Sequence, residues 1–229
     1  PSMLHFRGGR GGVDIATYPD MDTFFADVVS VYRSEILDLG AAGCRYLQLD
    51  DTNLAYLCDP NLRERVKSIG EDPDRLPHLY ARLINAAIAD RPNGMKVTVH
   101  LCRGNSLSRG HAEGGYEPVA ESIFNELKVD GFFLDARSGD FSPLRFVPKG
   151  KLRIVLGLIT SKFGELEPKD QIKRRIEDAS QYMPIEQICL SPQCGFASHT
   201  GGNLLSEDQQ RAKLRHVVEI AEEVWRGSH

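Results

Sequence analysis

The stretch Lys96-Val97-Thr98-Val99-His100-Leu101-Cys102 decides the fold. Its β-branched and apolar side chains read as a short strand over residues 96–101. The strand runs out on side chains able to do chemistry. Residues i and i+2 of a strand share a face, so His100 and Cys102 are expected to project to the same side. Further runs of this kind lie outward in both directions, at residues 45–50, 131–135, 153–158 and 187–191. Helical periodicity fills the gaps. Asp20 or Asp22 could cap a helix running to about Leu39, with Phe24, Val28, Val31, Ile36 and Leu39 as its apolar side. More helices are predicted over 77–89, 119–127 and 169–182, and the cap-like Ser206-Glu207-Asp208-Gln209 opens a last one ending near Trp225.

Strands alternating with helices argue for a parallel α/β architecture. Continuously apolar strands fit a sheet covered on both faces, and the run at 45–50 reads as buried like the others. Each of the best polar candidates falls at or just past the end of a strand, where β/α barrels place their chemistry. The expected fold is therefore a TIM (β/α)8 barrel, of which this chain supplies roughly the last five β/α units. About three strands are then expected before Pro1. Residues 1–225 read as the C-terminal part of one barrel domain, and residues 226–229 resemble the start of a polyhistidine tag.

Composition narrows the function classes. The 229 residues carry a net charge of −4, which gives no electrostatic reason to expect nucleic acid. No apolar run approaches the ~20 residues that span a bilayer, so no membrane partner is expected. Five cysteines without regular spacing do not read as a disulfide framework and favour a reducing, cytoplasmic setting.

Cys194 follows the last predicted strand in Ser191-Pro192-Gln193-Cys194-Gly195, and Asp135 ends the run Gly131-Phe132-Phe133-Leu134-Asp135. A histidine, a carboxylate and two thiols at strand exits suit Zn²⁺, a borderline-soft ion that accepts imidazole, thiolate and carboxylate together. His100, Cys102, Asp135 and Cys194 are thus the candidate zinc ligands. Each alone has a duller reading, as a buried histidine, small apolar cysteines or a capping aspartate; barrel geometry is what could bring them to one mouth. Asp50 and Asp51 end an earlier strand and could bind an ammonium group, move a proton, or simply cap the next turn. Arg103-Gly104-Asn105 could approach a substrate or form a plain turn. No residue stands out as a proton donor.

Several stretches together resemble the C-terminal catalytic barrel of the cobalamin-independent methionine synthase family, and in particular its single-barrel, methionine synthase II-like members. They are Tyr46-Leu47-Gln48-Leu49-Asp50-Asp51, Val99-His100-Leu101-Cys102-Arg103-Gly104-Asn105, Gly114-Gly115-Tyr116-Glu117-Pro118, Arg137-Ser138-Gly139-Asp140-Phe141, Leu156-Gly157-Leu158-Ile159-Thr160-Ser161-Lys162, and Leu190-Ser191-Pro192-Gln193-Cys194-Gly195-Phe196. The resemblance implies zinc-dependent methyl transfer from 5-methyltetrahydropteroyl-polyglutamate to homocysteine, giving methionine. It implies zinc ligation by His100, Cys102 and Cys194, with Asp135 standing where the family has a glutamate in a segment a few residues longer. Asp50 matches a family aspartate that helps hold the substrate ammonium group; Asp51 and Asn105 are grouped with it as substrate-binding candidates. The expected partners are these small molecules. Rival readings keep the zinc but use another thiol, such as coenzyme M, or make the chain a non-catalytic zinc-binding barrel fragment.

Overall fold

The computed structural model describes residues 8–105, 107–197 and 200–226. Five strands form one sheet, β1 (Tyr46–Asp51), β2 (Lys96–Leu101), β3 (Gly131–Asp135), β4 (Arg153–Ile159) and β5 (Ile188–Pro192), in the order β1-β2-β3-β4-β5. Every neighbouring pair is parallel. Sequential parallel order needs a crossover after each strand; between β3 and β4 it holds a short 3-10 helix (Ser142–Phe146), and elsewhere α-helices supply it. They are α1 (Met21–Ala41) before β1; α2 (Asn53–Tyr56), α3 (Pro60–Ser68) and α4 (Leu76–Ala87) after it; then α5 (Glu117–Glu126), α6 (Lys169–Ser180) and α7 (Glu207–Trp225). The expected alternation and all five predicted strands are present.

Local chemistry explains the element ends. Asp20 caps α1 by accepting from the Thr23 amide at 2.7 Å. Ser206 and Gln209 form a reciprocal capping box at the start of α7. Between the strands and helices lies a core in which Val97, Val99, Leu101, Phe132, Ile154 and Leu156 are fully buried. Burial of each such side chain stabilises the fold by about 1.5–3 kcal/mol relative to exposure.

Two features differ from the expectation. β1 is not buried: its residues alternate between exposed and half-buried, and only Asp51 is buried. The cause is topological, since β1 pairs only with β2 and forms an edge of the sheet among the described residues. The stretch after β1 also holds two helices that periodicity did not signal. α2 is four residues long, and α3 opens on Asp59-Pro60, with Asp59 accepting from Asn61 and proline at the first helical position. The opening residues, including His5, lie outside the described residues, as do His199 and residues 227–229 of the expected tag. No helix among the described residues is long and apolar enough to cross a membrane.

Candidate metal centre

β2 delivers His100 and, one residue past its end, Cys102; the turn after β5 delivers Cys194. A ring nitrogen of His100 and the two sulfurs all lie within 4.8 Å of one another. The sulfurs are 3.7 Å apart. β2 and β5 are three strand spacings apart, which in a flat sheet is about 14 Å. Only a strongly curled sheet brings their C-terminal ends together, as a barrel wall does. All three side chains are buried.

The register fixes the histidine. Asp50 lies directly opposite His100 on the neighbouring strand. Its Oδ1 is 2.8 Å from His100 Nδ1. An ionised carboxylate only accepts, so Nδ1 carries a proton, and in the neutral imidazole Nε2 keeps its lone pair. Nε2 is buried and has no hydrogen-bond partner among the described residues. Burial disfavours the imidazolium, but the Asp50 hydrogen bond and the surrounding negative charge carry the His100 pKa above its usual 6.5. The thiols are coupled. The hydrogen bond with Cys194 holds the Cys102 pKa down to about 7 against burial, with help from His100. That same hydrogen bond, followed by burial, pushes Cys194 far up. One thiol of the pair therefore ionises readily, and the second keeps its proton unless a cation arrives.

The other expected residues lie around this group. Asp135 is fully buried at the end of β3. Its Oδ1 accepts from Arg137 Nε at 2.9 Å and Oδ2 has no partner among the described residues. It does not join the 4.8 Å group, yet its charge acts on both His100 and Cys194. Asp51 is buried, and its Oδ1 accepts from the amides of Asn53 and Leu54 at the start of α2. Asn105 Nδ2 donates to the Gly195 carbonyl at 2.8 Å and so ties the Cys102 loop to the Cys194 turn.

Two residues escaped the sequence reading. Ser108, in the left-handed region at φ 64°, donates its hydroxyl to the Lys162 carbonyl at 2.7 Å and accepts from the Leu204 amide at 2.9 Å. It links the loops after β2, β4 and β5. Lys162 follows β4 and is 95% buried, at 5% exposure, with no partner for Nζ among the described residues. Its sequence signal is faint: a lysine directly after a strand end, within Thr160-Ser161-Lys162.

Comparison with known proteins follows the same lines. The family model described as "Cobalamin-independent synthase, Catalytic domain" matches residues 17–223. YxjH of Bacillus subtilis (strain 168), itself uncharacterized, is 51% identical over 229 residues, covering 99% of this chain and 60% of the relative. A methionine synthase of Pyrococcus abyssi (strain GE5 / Orsay) is 26% identical over 181 residues, covering 78% of this chain and 45% of the relative. A Listeria monocytogenes crystal structure, assigned provisionally as a vitamin-B12-independent methionine synthase, superposes with a TM-score of 0.72 at 44% identity. That match covers 90% of this chain and 57% of the other. The chain thus spans well under two thirds of the length of these relatives. With the family model running almost end to end over the curled parallel sheet and its thiol pair, this chain belongs to the cobalamin-independent synthase catalytic-domain family.

Proposed function

We propose that the intact protein is a zinc-dependent methyltransferase that moves a methyl group from 5-methyltetrahydropteroyl-polyglutamate to homocysteine, giving methionine. The observation that carries the reading is the convergence of His100, Cys102 and Cys194, with His100 Nε2 buried and unpartnered among the described residues. An orphaned lone pair beside two thiols 3.7 Å apart fits the donor set of zinc. When bound, zinc supplies positive charge that favours the thiolate form of a substrate thiol at neutral pH.

The chain's own residues have distinct tasks in this reading. Cys102 and Cys194 bring negative charge. His100 brings a neutral imidazole, held in one tautomer by Asp50. Asp135, with one oxygen on Arg137 and the other unpartnered among the described residues, completes the ligand set. The side chain of Asp50 is 61% exposed, which leaves its second oxygen accessible to the ammonium group of an amino-acid thiol. Asp51 and Asn105 shape the substrate side of the mouth through the backbone they fix.

The test is metal content and methyl transfer in the intact protein. About one zinc per chain is expected. Cys102→Ser and Cys194→Ser should each lose most of it, since thiolates supply much of the affinity. Methionine should form from homocysteine and methylfolate only with zinc present. Unchanged zinc in both variants refutes the ligand set. Transfer to another thiol but never to homocysteine keeps the centre and overturns the acceptor.

A further inference from the structure

Lys162 presents a problem in electrostatics. It lies two residues past the Thr160 that follows β4, on the same rim as the thiol pair. Its side chain is 5% exposed and its Nζ has no hydrogen-bond partner among the described residues. A buried ammonium without an anion is costly, and native structures keep such charges only when something pairs with them. The position is not accidental slack. The Lys162 carbonyl accepts from Ser108, and the Ser161 carbonyl accepts from Asn203 Nδ2 at 2.8 Å, so the backbone under the lysine is fixed from two other loops. The contrast with the other buried lysine is direct. Lys213 is equally buried but pairs with Glu167 at 3.1 Å.

The charge faces the reaction centre. Asn203 Nδ2 donates to the Ser161 carbonyl at 2.8 Å and to the Gly195 carbonyl at 3.4 Å, so the segment bearing Lys162 and the turn bearing Cys194 are tied side by side. Among the described residues Nζ has no hydrogen bond to a sulfur, so the ammonium stands on the same rim as the thiols without being their partner. It is therefore poised for an anionic group that arrives with the substrate. Both proposed substrates carry one: the amino-acid thiol has an α-carboxylate, and the methyl donor has a glutamate tail.

We propose that Lys162 is a substrate-anchoring residue whose ammonium binds a carboxylate of a substrate docked against the His100, Cys102 and Cys194 group. The inference rests on the thiol-methyltransferase reading above and names the charge chemistry by which its substrate is held.

The test uses the intact protein and two matched ligand pairs. Homocysteine is compared with 3-aminopropane-1-thiol, which keeps the thiol and amine and lacks the carboxylate. The pair 5-methyltetrahydrofolate and the primary amide of 5-methyltetrahydropteroate, which has no carboxylate, does the same for the donor. Binding is measured by calorimetry, and zinc content is read separately. A charge-assisted contact predicts that the wild-type protein prefers the carboxylate-bearing member of one pair by about 10- to 150-fold. Which pair shows it identifies the source of the carboxylate.

In Lys162→Met that preference should fall to less than about threefold, while binding of the carboxylate-free member and zinc content stay as they were. Lys162→Arg should keep part of it. The thermal midpoint of ligand-free Lys162→Met should not fall, because an unpaired buried charge has been replaced by an apolar chain. A wild-type protein with no preference in either pair overturns the inference without any variant. So does Lys162→Met retaining the preference, losing its zinc, or melting several degrees lower, since the last two assign the lysine to the metal centre or to an internal partner. Absence of zinc from the wild-type protein refutes the metal reading instead, and the carboxylate preference is still measurable in that case.

Discussion

Removing the Asp50 carboxylate should weaken metal binding through a residue that need not touch the metal. Asp50 Oδ1 holds His100 Nδ1 at 2.8 Å, and the two residues face each other across the β1–β2 ladder. Asp50→Ala leaves the imidazole free to rotate and to take either tautomer. Loss of the outer partner of a ligand histidine typically weakens metal affinity about 10- to 100-fold, which is about 1.4–2.7 kcal/mol. Asp50→Asn keeps an oxygen that accepts from Nδ1–H but loses the charge, so its effect on zinc should fall well short of that of alanine. The stability of the metal-free fold should hardly change, because the Asp50 side chain is 61% exposed and solvent screens the pair to less than about 1 kcal/mol. The assay is competition for zinc against a chelator of known affinity, with thermal unfolding of the metal-free protein as control. Methyl-transfer kinetics add a second axis. The asparagine variant should raise KM for the amino-acid thiol by more than it weakens zinc, since the exposed oxygen is assigned to the ammonium group. Asp50→Ala binding zinc within twofold of wild type would refute the orienting role, and an unchanged KM in Asp50→Asn would refute the ammonium role.

Other outcomes are equally direct. Asp135→Asn should lower zinc affinity at least about tenfold if the unpartnered Oδ2 completes the ligand set; unchanged chelator competition removes Asp135 from it. Leu156→Ala, in the fully buried centre of β4, should cost about 2–5 kcal/mol in urea unfolding, and a loss below about 1 kcal/mol would contradict the packing described. Asp130 accepts from Val97 N at 2.9 Å and Lys96 Nζ at 2.8 Å; burial pushes its pKa up, but these hydrogen bonds hold it below 3.8. A depressed carboxylate contributes stability above its unfolded pKa and loses it as pH falls through the folded value. Asp130→Asn should therefore destabilise by about 1 kcal/mol at pH 7, with the difference from wild type vanishing as the pH drops below the folded value; a constant difference down to pH 2 would break the linkage argument.

The strands were legible because a parallel strand covered on both faces tends to be apolar: β3 and β4 nearly are, and β2 shows it through the buried Val97, Val99 and Leu101. The same composition misled at β1, whose Tyr46-Leu47-Gln48-Leu49 looks no different but lies at a sheet edge. Edge status is a property of pairing, which a linear pattern does not carry. His100 and Cys102 were readable from strand periodicity. Cys194 was readable only in company, since it stands three strands away and the curl of the sheet closes the gap. The Asp50–His100 contact depends on inter-strand register. Asp51 illustrates the opposite case: a carboxylate at a strand end is equally suited to a ligand or to the amides of a four-residue helix, and its Oδ1 accepts from those amides. Lys162 stayed hidden because a lysine after a strand looks solvent-facing until its burial is known.

The hydroxyl of Ser108 joins three loops that are far apart in the chain. Enzymes of β/α architecture diversify by changing one loop at a time on a constant scaffold. Here that modularity is curtailed. Exchanging the segment after β5 for that of a relative would strand the Ser108 oxygen, and exchanging the segment after β2 would release the carbonyl of Lys162. The three segments should therefore vary as a set, and chimeras that graft one of them alone should fail where triple grafts succeed.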